Sequence, residues 1–258
     1  MMQRLHIVGC PRSGTTLMME LMVTCFEKTD YCKHEMSIFE EPEDSPALFF
    51  SKQPSDIKFI EHVFSKDPNL FVLYMVRDPR SVITSIHRSR PDEYFCNYRA
   101  WKACAVAAER FEGQPRFCKI RYEDLVHAPD VIQAELQEKF PFLIKIHDFS
   151  EYEKKARPSR DAVKAMSGLR AVDSSRIVGW HEHLPRVKAE LLKHPEMVND
   201  LITNGYETDD QWTQQLNDVD AITFACRYPD REFFLKSLET KFRKWRASRR
   251  YLVRRRCH

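Results

Sequence analysis

Apolar residues follow two rhythms along the chain. Three short, β-rich runs stand out at residues 5–9 (LHIVG), 70–76 (LFVLYMV) and 116–122 (RFCKIRY). The first two are nearly continuous and end in polar turns, the pattern of strands covered on both faces of a parallel sheet. Between and after them the spacing lengthens to that of a helix. Leu17, Met18, Leu21, Met22, Cys25 and Phe26 share one helical face, which predicts a helix over about residues 15–27. Residues 57–64 predict another, the pattern is helical again from Ser81, and 94–111 (YFCNYRAWKACAVAAERF) is alanine-rich with one apolar side. Beyond Pro129 helical segments dominate, at 131–140, 184–193, 196–204 and from Asp230 onward. Strands alternating with helices predict crossover connections, hence an α/β fold with a mostly parallel central sheet flanked by helices and a helical C-terminal part.

Composition narrows the class. A chain of 258 residues, 43% hydrophobic and 12% aromatic, can bury one large core and is far from a disordered composition. No run of about 18 apolar residues occurs, and the first strand begins too early for a secretory leader to precede it. Eight cysteines form no C-x-x-C pair, which fits reduced thiols. Together these features predict a cytoplasmic protein. The net charge of +3 conceals an asymmetry. Residues 241–258 hold nine of the 41 basic side chains and no acid, leaving 32 basic against 38 acidic before them, a net charge of −6. The expected organisation is one domain over 1–240 and a basic helix or tail over 241–258.

The first run leads into GCPRSGTT (residues 9–16), with the G-x-x-x-x-G spacing of a nucleotide-phosphate loop and the strand-before, helix-after context such a loop requires. Gly14 frees the turn, and the backbone N–H groups of Ser13, Gly14, Thr15 and Thr16 at a helix N-terminus offer fixed positive charge to an anion. A glycine turn that binds nothing has the same spacing. In ATP and GTP loops position 15 is lysine; here it is Thr15, and the cation inside the loop is Arg12. The second run ends in RDPRSVITS (residues 77–85), where Arg77 leaves a buried strand and Ser85 follows eight residues later on a helix. A guanidinium and a hydroxyl so placed suit a phosphate monoester. The rival reading makes Asp78 a magnesium ligand; Pro79 and Arg80 favour a turn with a local ion pair instead.

The loop PRSGTTL resembles the 5′-phosphosulfate loop of sulfotransferases that use 3′-phosphoadenosine 5′-phosphosulfate, in the arginine-bearing form of carbohydrate and tyrosyl-protein sulfotransferases. The Arg77 to Ser85 spacing resembles that family's 3′-phosphate site, and YEDL (residues 122–125) its segment with a nucleotide-contacting tyrosine, here Tyr122. Farther on, DSSRIVGW and NGYE resemble its late serine loop and closing helix terminus; Ser174 or Ser175 would touch the 3′-phosphate, and Gly205 would stop the helix. Gly179 stands where some relatives have lysine. The resemblance spans about residues 5–206 in order.

That resemblance implies a P-loop-type three-layer fold and sulfuryl transfer to a hydroxyl, with a carbohydrate or glycoconjugate acceptor and no metal. Arg12 with the loop N–H groups would relieve charge on the leaving phosphate, and Arg77 and Ser85 would anchor the adenosine end. In the relatives a glutamate after the first helix is the general base, which points to Glu35, with His34, Glu40 and Glu41 as rivals. A magnesium-dependent P-loop kinase and a non-catalytic nucleotide-binding protein docking through its basic tail are the alternatives. In the tail, Phe242, Trp245 and Leu252 are expected near one helical face among arginines, which suits an anionic membrane surface or a polyanion; a solvated terminal helix is the plainer account. Nucleic acid is not expected, since the rest of the surface is net acidic. His181 and His183, at i and i+2, do not form a metal pair on a helix.

Overall fold

The computed structural model describes residues 2–44, 46–87, 90–166, 168, 172, 177, 179–227 and 234–256. In chain order the N-terminal part comprises β1 (Gln3–Gly9), α1 (Thr15–Cys25), β2 (Asp30–Tyr31), β3 (Leu48–Lys52), a 3-10 turn at Pro54–Lys58, α2 (Glu61–Phe64), β4 (Leu70–Val76) and α3 (Pro79–Ile83). Next come β5 (Ile86–His87), β6 (Arg90–Tyr94), α4 (Tyr98–Glu109), β7 (Phe117–Arg121), α5 (Tyr122–His127) and α6 (Pro129–Lys139). The remainder is mainly helical: α7 (Tyr152–Lys155), α8 (Arg160–Met166), α9 (Leu184–Lys193), α10 (Met197–Thr203), the short strand β8 (Ala225–Cys226) and α11 (Phe234–Arg256).

Five strands form a wholly parallel sheet in the order β2-β3-β1-β4-β7, with β1 at its centre. One core on each face confirms the three-layer α/β architecture: α1, α5 and α6 side chains with Leu5 and Ile7 on one side, α4, α9 and α10 side chains with Val8 and Tyr74 on the other. A small second sheet, β5-β6-β8, lies apart.

The sequence pattern and the structure differ where polar residues interrupt or end an element. Residues 40–56 hold no obvious signal, yet LFFSK forms β3 beside β1, because Phe49 and Phe50 are both buried in the core that α1 covers while Pro54 ends the strand. The helix expected over 94–111 begins at Tyr98, where Asn97 accepts a capping hydrogen bond from Ala100 N–H at 3.0 Å; Tyr94 belongs to β6. Residues 57–64 divide into a 3-10 turn and the single-turn α2. Leu252 faces the protein body, so the outward face of α11 carries Val253 in its place.

β1 contains two buried polar side chains, Arg4 and His6, on the face that looks toward Asp56. Arg4 donates to Ser51 Oγ (2.8 Å) and to the carbonyls of Ser37, Ile38 and Glu40, fastening the segment after β2 across the sheet. Ser51 Oγ, having accepted from Arg4, can donate to His6 Nδ1 at 2.8 Å, which leaves the His6 N–H on Nε2, 3.5 Å from Asp56 Oδ2. Burial pushes the His6 imidazole below its ordinary pKa, against the pull of Asp56. Asp56 also accepts from Ile38 N–H (2.7 Å) and Ser37 Oγ (2.9 Å) and pairs with Lys244 of α11 at 3.0 Å. Burial alone would raise its pKa; the contacts with His6, Lys244 and Ile38 outweigh burial and hold the carboxyl below its usual range.

Candidate active site

Every strand of a parallel sheet delivers its C-terminal end to the same edge, and the groups singled out in the sequence meet there. β1 ends at Gly9, and the chain turns back on itself through Ser13, whose N–H and Oγ both bond to Cys10 carbonyl, at 3.1 and 2.7 Å. Ser13 is therefore a buried brace that shapes the loop, and the donors facing outward begin at Gly14. Thr15 is buried as well, which leaves Thr16 as the half-exposed hydroxyl of the first turn. Cys10 is buried at the end of the strand, and five of the seven described cysteines are buried.

Gly14 has φ +93°, and a Cβ there would lie 2.4 Å from Tyr122 Cδ2. Both the backbone conformation and the tyrosine demand glycine. Tyr122 in turn carries the Arg77 guanidinium over its ring at 4.2 Å. Arg77 Nη1 donates to Arg12 carbonyl (3.3 Å), and Trp101 Nε1 of α4 holds Arg77 carbonyl at 2.9 Å. Arg12 has φ +77°, a left-handed conformation unusual for a residue with a side chain. Its Nε donates to Ser85 Oγ at 2.6 Å, and its guanidinium lies 5.7 Å from the Phe95 ring centroid, which Arg227 approaches to 5.1 Å. Arg12, Gly14, Arg77, Ser85 and Tyr122, distant in sequence, thus form one contiguous cluster. Ser174 and Ser175 lie outside the described residues.

Two residues at this edge escaped the sequence reading. Lys52, the last residue of β3, is 5% exposed and donates from Nζ to Thr16 Oγ1 at 3.1 Å. Its Nζ also lies 3.4 Å from Glu35 Oε1, which brings the predicted base to the loop. Glu20, one turn beyond Thr16 on α1, is the second. Burial raises its carboxyl pKa, partly opposed by the Lys52 charge. Two rivals to Glu35 lie toward Arg4, Glu41 near Arg4 and Arg255 and Glu40 with its carbonyl bonded to Arg4, while His34 is exposed beside Glu35. A short apolar run, Leu48 to Phe50, followed by lysine and closed by Pro54 was the available signal for Lys52.

The flanking residues have structural work. Asp78 caps α3, accepting from Arg80 N–H at 2.7 Å, and pairs with the Arg80 side chain at 2.7 Å. Arg80 further pairs with Glu207 and lies over the Trp180 and Trp212 rings, so Asp78 and Arg80 form the expected local ion pair inside a larger buried cluster. Glu123 accepts Asp78 N–H at 3.0 Å. Gly205, φ +70°, ends α10 as expected. Arg121 beside it donates to Gly205 carbonyl at 3.2 Å. Among the described residues no group of three or more His, Cys, Asp or Glu side chains is arranged to hold a metal ion.

The fold and site define an α/β protein with a glycine loop and a cluster of cationic side chains at the C-terminal edge of a parallel sheet. The chain matches no protein-family model and no curated protein sequence. Among solved structures it is similar to the sulfotransferase domain from the Synechococcus PCC 7002 olefin synthase (TM-score 0.46, 15% identity, 69% of this chain and 86% of that chain covered). It is also similar to a mouse sulfotransferase complexed with PAP (TM-score 0.49, 13% identity, 84% and 89% covered). A third similar structure is retinol dehydratase in complex with androsterone and inactive cofactor PAP (TM-score 0.42, 11% identity, 88% and 83% covered).

Proposed function

We propose that the protein transfers a sulfuryl group from 3′-phosphoadenosine 5′-phosphosulfate to an acceptor hydroxyl, with a carbohydrate or glycoconjugate as the acceptor class favoured by the arginine-bearing loop. The observation that carries this reading is the convergence of Arg12, Arg77 and Ser85 beside a glycine loop whose first-turn hydroxyl, Thr16, is held by the Lys52 ammonium. In an ATP loop that hydroxyl serves magnesium. Here a fixed side-chain cation stands at that place, and two guanidiniums lie beyond it. Such an arrangement supports a nucleotide with two separate anionic groups, and glycine at position 14 lets the Tyr122 ring pack directly against the loop backbone.

When bound, the donor supplies a sulfuryl group on a phosphate leaving group, so one S–O bond breaks as another forms to the acceptor oxygen. The chain's own residues provide the setting. The N–H groups of Gly14, Thr15 and Thr16, with Arg12 and Lys52, oppose the negative charge that gathers at the 5′ end. Arg77 and Ser85 hold the 3′-phosphate, with Tyr122 backing the arginine. Glu35 takes the acceptor's proton, and its contact with Lys52 Nζ at 3.4 Å holds the carboxylate beside the loop.

The test is transfer from labelled donor to a panel of hydroxyl acceptors that includes neutral and acidic oligosaccharides, read as the mass gain of one SO₃ group. Magnesium-dependent phosphate transfer from ATP, with none from the labelled donor, would overturn the proposal.

A further inference from the structure

From Lys244 to Arg255, α11 is fastened to the body along one face. Lys244 pairs with Asp56, Ser248 is buried, Tyr251 donates to Asp67, and Arg255 reaches both Asp67 and Met2 carbonyl. These residues recur at i, i+4, i+7 and i+11, so the opposite face looks outward along the whole segment. At its centre stand Phe242 (59% exposed), Trp245 (50%) and Val253 (63%). Phe242 and Trp245 stack at 5.8 Å; Arg246 lies over the first ring and Arg249 over the second. Lys241, Arg243, Arg250 and Arg254 flank them, and no acidic residue occurs from Lys241 to the end of the chain. Beside Trp245 a cleft of about 480 Å³ opens between α11 and residues 58–65, lined by Lys58, His62, Lys241 and Lys244 with Glu61 as its one acid.

We propose that this face of α11 docks on an anionic phospholipid surface, with a lipid phosphate entering the lysine-lined cleft. Exposed aromatic rings in the middle of a cationic stripe are matched to the boundary between headgroups and acyl chains, where rings enter and arginines remain at the phosphates. No helix among the described residues is long and apolar enough to cross a membrane, so the attachment is to the surface. A second copy of α11 would set cation against cation. The ion pairs place Lys244, midway along α11, beside the segment after β3 and the helix end at the start of β1, so this half of the helix runs antiparallel to the strands. The bilayer would lie alongside the sheet and leave the phosphate-loop edge uncovered.

The experiment is sedimentation of the full chain with phosphatidylcholine vesicles and with vesicles that also contain phosphatidylglycerol, together with quenching of tryptophan emission by brominated lipid. Binding confined to the anionic vesicles, weakened by salt and accompanied by quenching, is the expected result. Arg249→Glu with Arg250→Glu should lower the affinity at least about twentyfold, at about fivefold per charge. Trp245→Ser should remove the quenching while nucleotide binding persists in both variants. Equal binding to neutral vesicles, or no vesicle binding at all, would overturn the proposal. So would binding to a soluble polyanion or self-association through α11 in the absence of vesicle binding.

Discussion

Lys52 Nζ donates to Thr16 Oγ1 at 3.1 Å, joining the end of β3 to the first turn of α1. The glycine loop lacks a lysine of its own, and the neighbouring strand supplies one. A buried ammonium with two oxygen partners is fixed in place before any ligand arrives, which is the condition for electrostatic catalysis. Lys52→Met, which keeps the apolar stem, is expected to lower kcat about 10²- to 10³-fold, as loss of one charge-stabilising donor does. Lys52→Arg should recover part of that loss. Steady-state kinetics on the identified acceptor checks both.

Arg12 combines a left-handed backbone with a side chain that has to reach Ser85. The conformation costs about 1–2 kcal/mol for a residue with a Cβ and nothing for glycine. Arg12→Gly and Arg12→Ala should therefore both abolish turnover, while the glycine variant is the more stable of the two by about 1 kcal/mol. Urea denaturation of the pair isolates the backbone contribution, since neither variant retains the guanidinium.

Much of this site was legible because its parts sit at the ends of apolar runs. The loop after β1 and Arg77 after β4 were each found from a strand and its exit, Tyr122 after β7 from the resemblance of YEDL, and the parallel sheet brings all three exits to one edge. Lys52 was missed because β3 has only three apolar residues, consecutive and too few to set a period. Its strand character comes from pairing with β1, a tertiary effect that local pattern does not carry. Arg4 and His6 were hidden for the opposite reason. Their neighbours make β1 read as uniformly apolar, and the partners that satisfy them, Ser51 and Asp56, lie more than 40 residues away. The contact between Arg12 and Ser85 could not be foreseen either, since it depends on how the loop and α3 approach each other.

Glu35 and Glu20 flank the same lysine from different elements, and kinetics separates them. Glu35→Gln should lower kcat about 10²- to 10⁴-fold, the usual contribution of a general base, with little change in bisphosphate affinity. Glu20→Gln should retain most of the turnover. The reverse pattern would move the base to α1, where burial already raises the Glu20 carboxyl.

Asp56 gives the fold a defined acid limb. Its folded pKa lies below the ordinary value of 3.8, so the stabilisation is fully present above about pH 4 and is lost as pH falls below that toward the folded pKa. Asp56→Asn should cost about 3–5 kcal/mol at neutral pH, because Lys244 and the Ile38 N–H lose a buried charge partner, and should flatten this part of the acid limb. Urea midpoints between pH 3 and 7, a range of about four units, test the sign as well as the size.

The central claim is that the loop edge is built for a nucleotide with separate 3′- and 5′-anions held by side-chain cations. Titration calorimetry of the protein with adenosine 3′,5′-bisphosphate, without magnesium, tests it most directly. Tight binding that Arg77→Ala weakens by at least about tenfold, the loss of one charge-assisted contact, is the predicted result. No binding of the bisphosphate, with ATP bound only when magnesium is present, would contradict it.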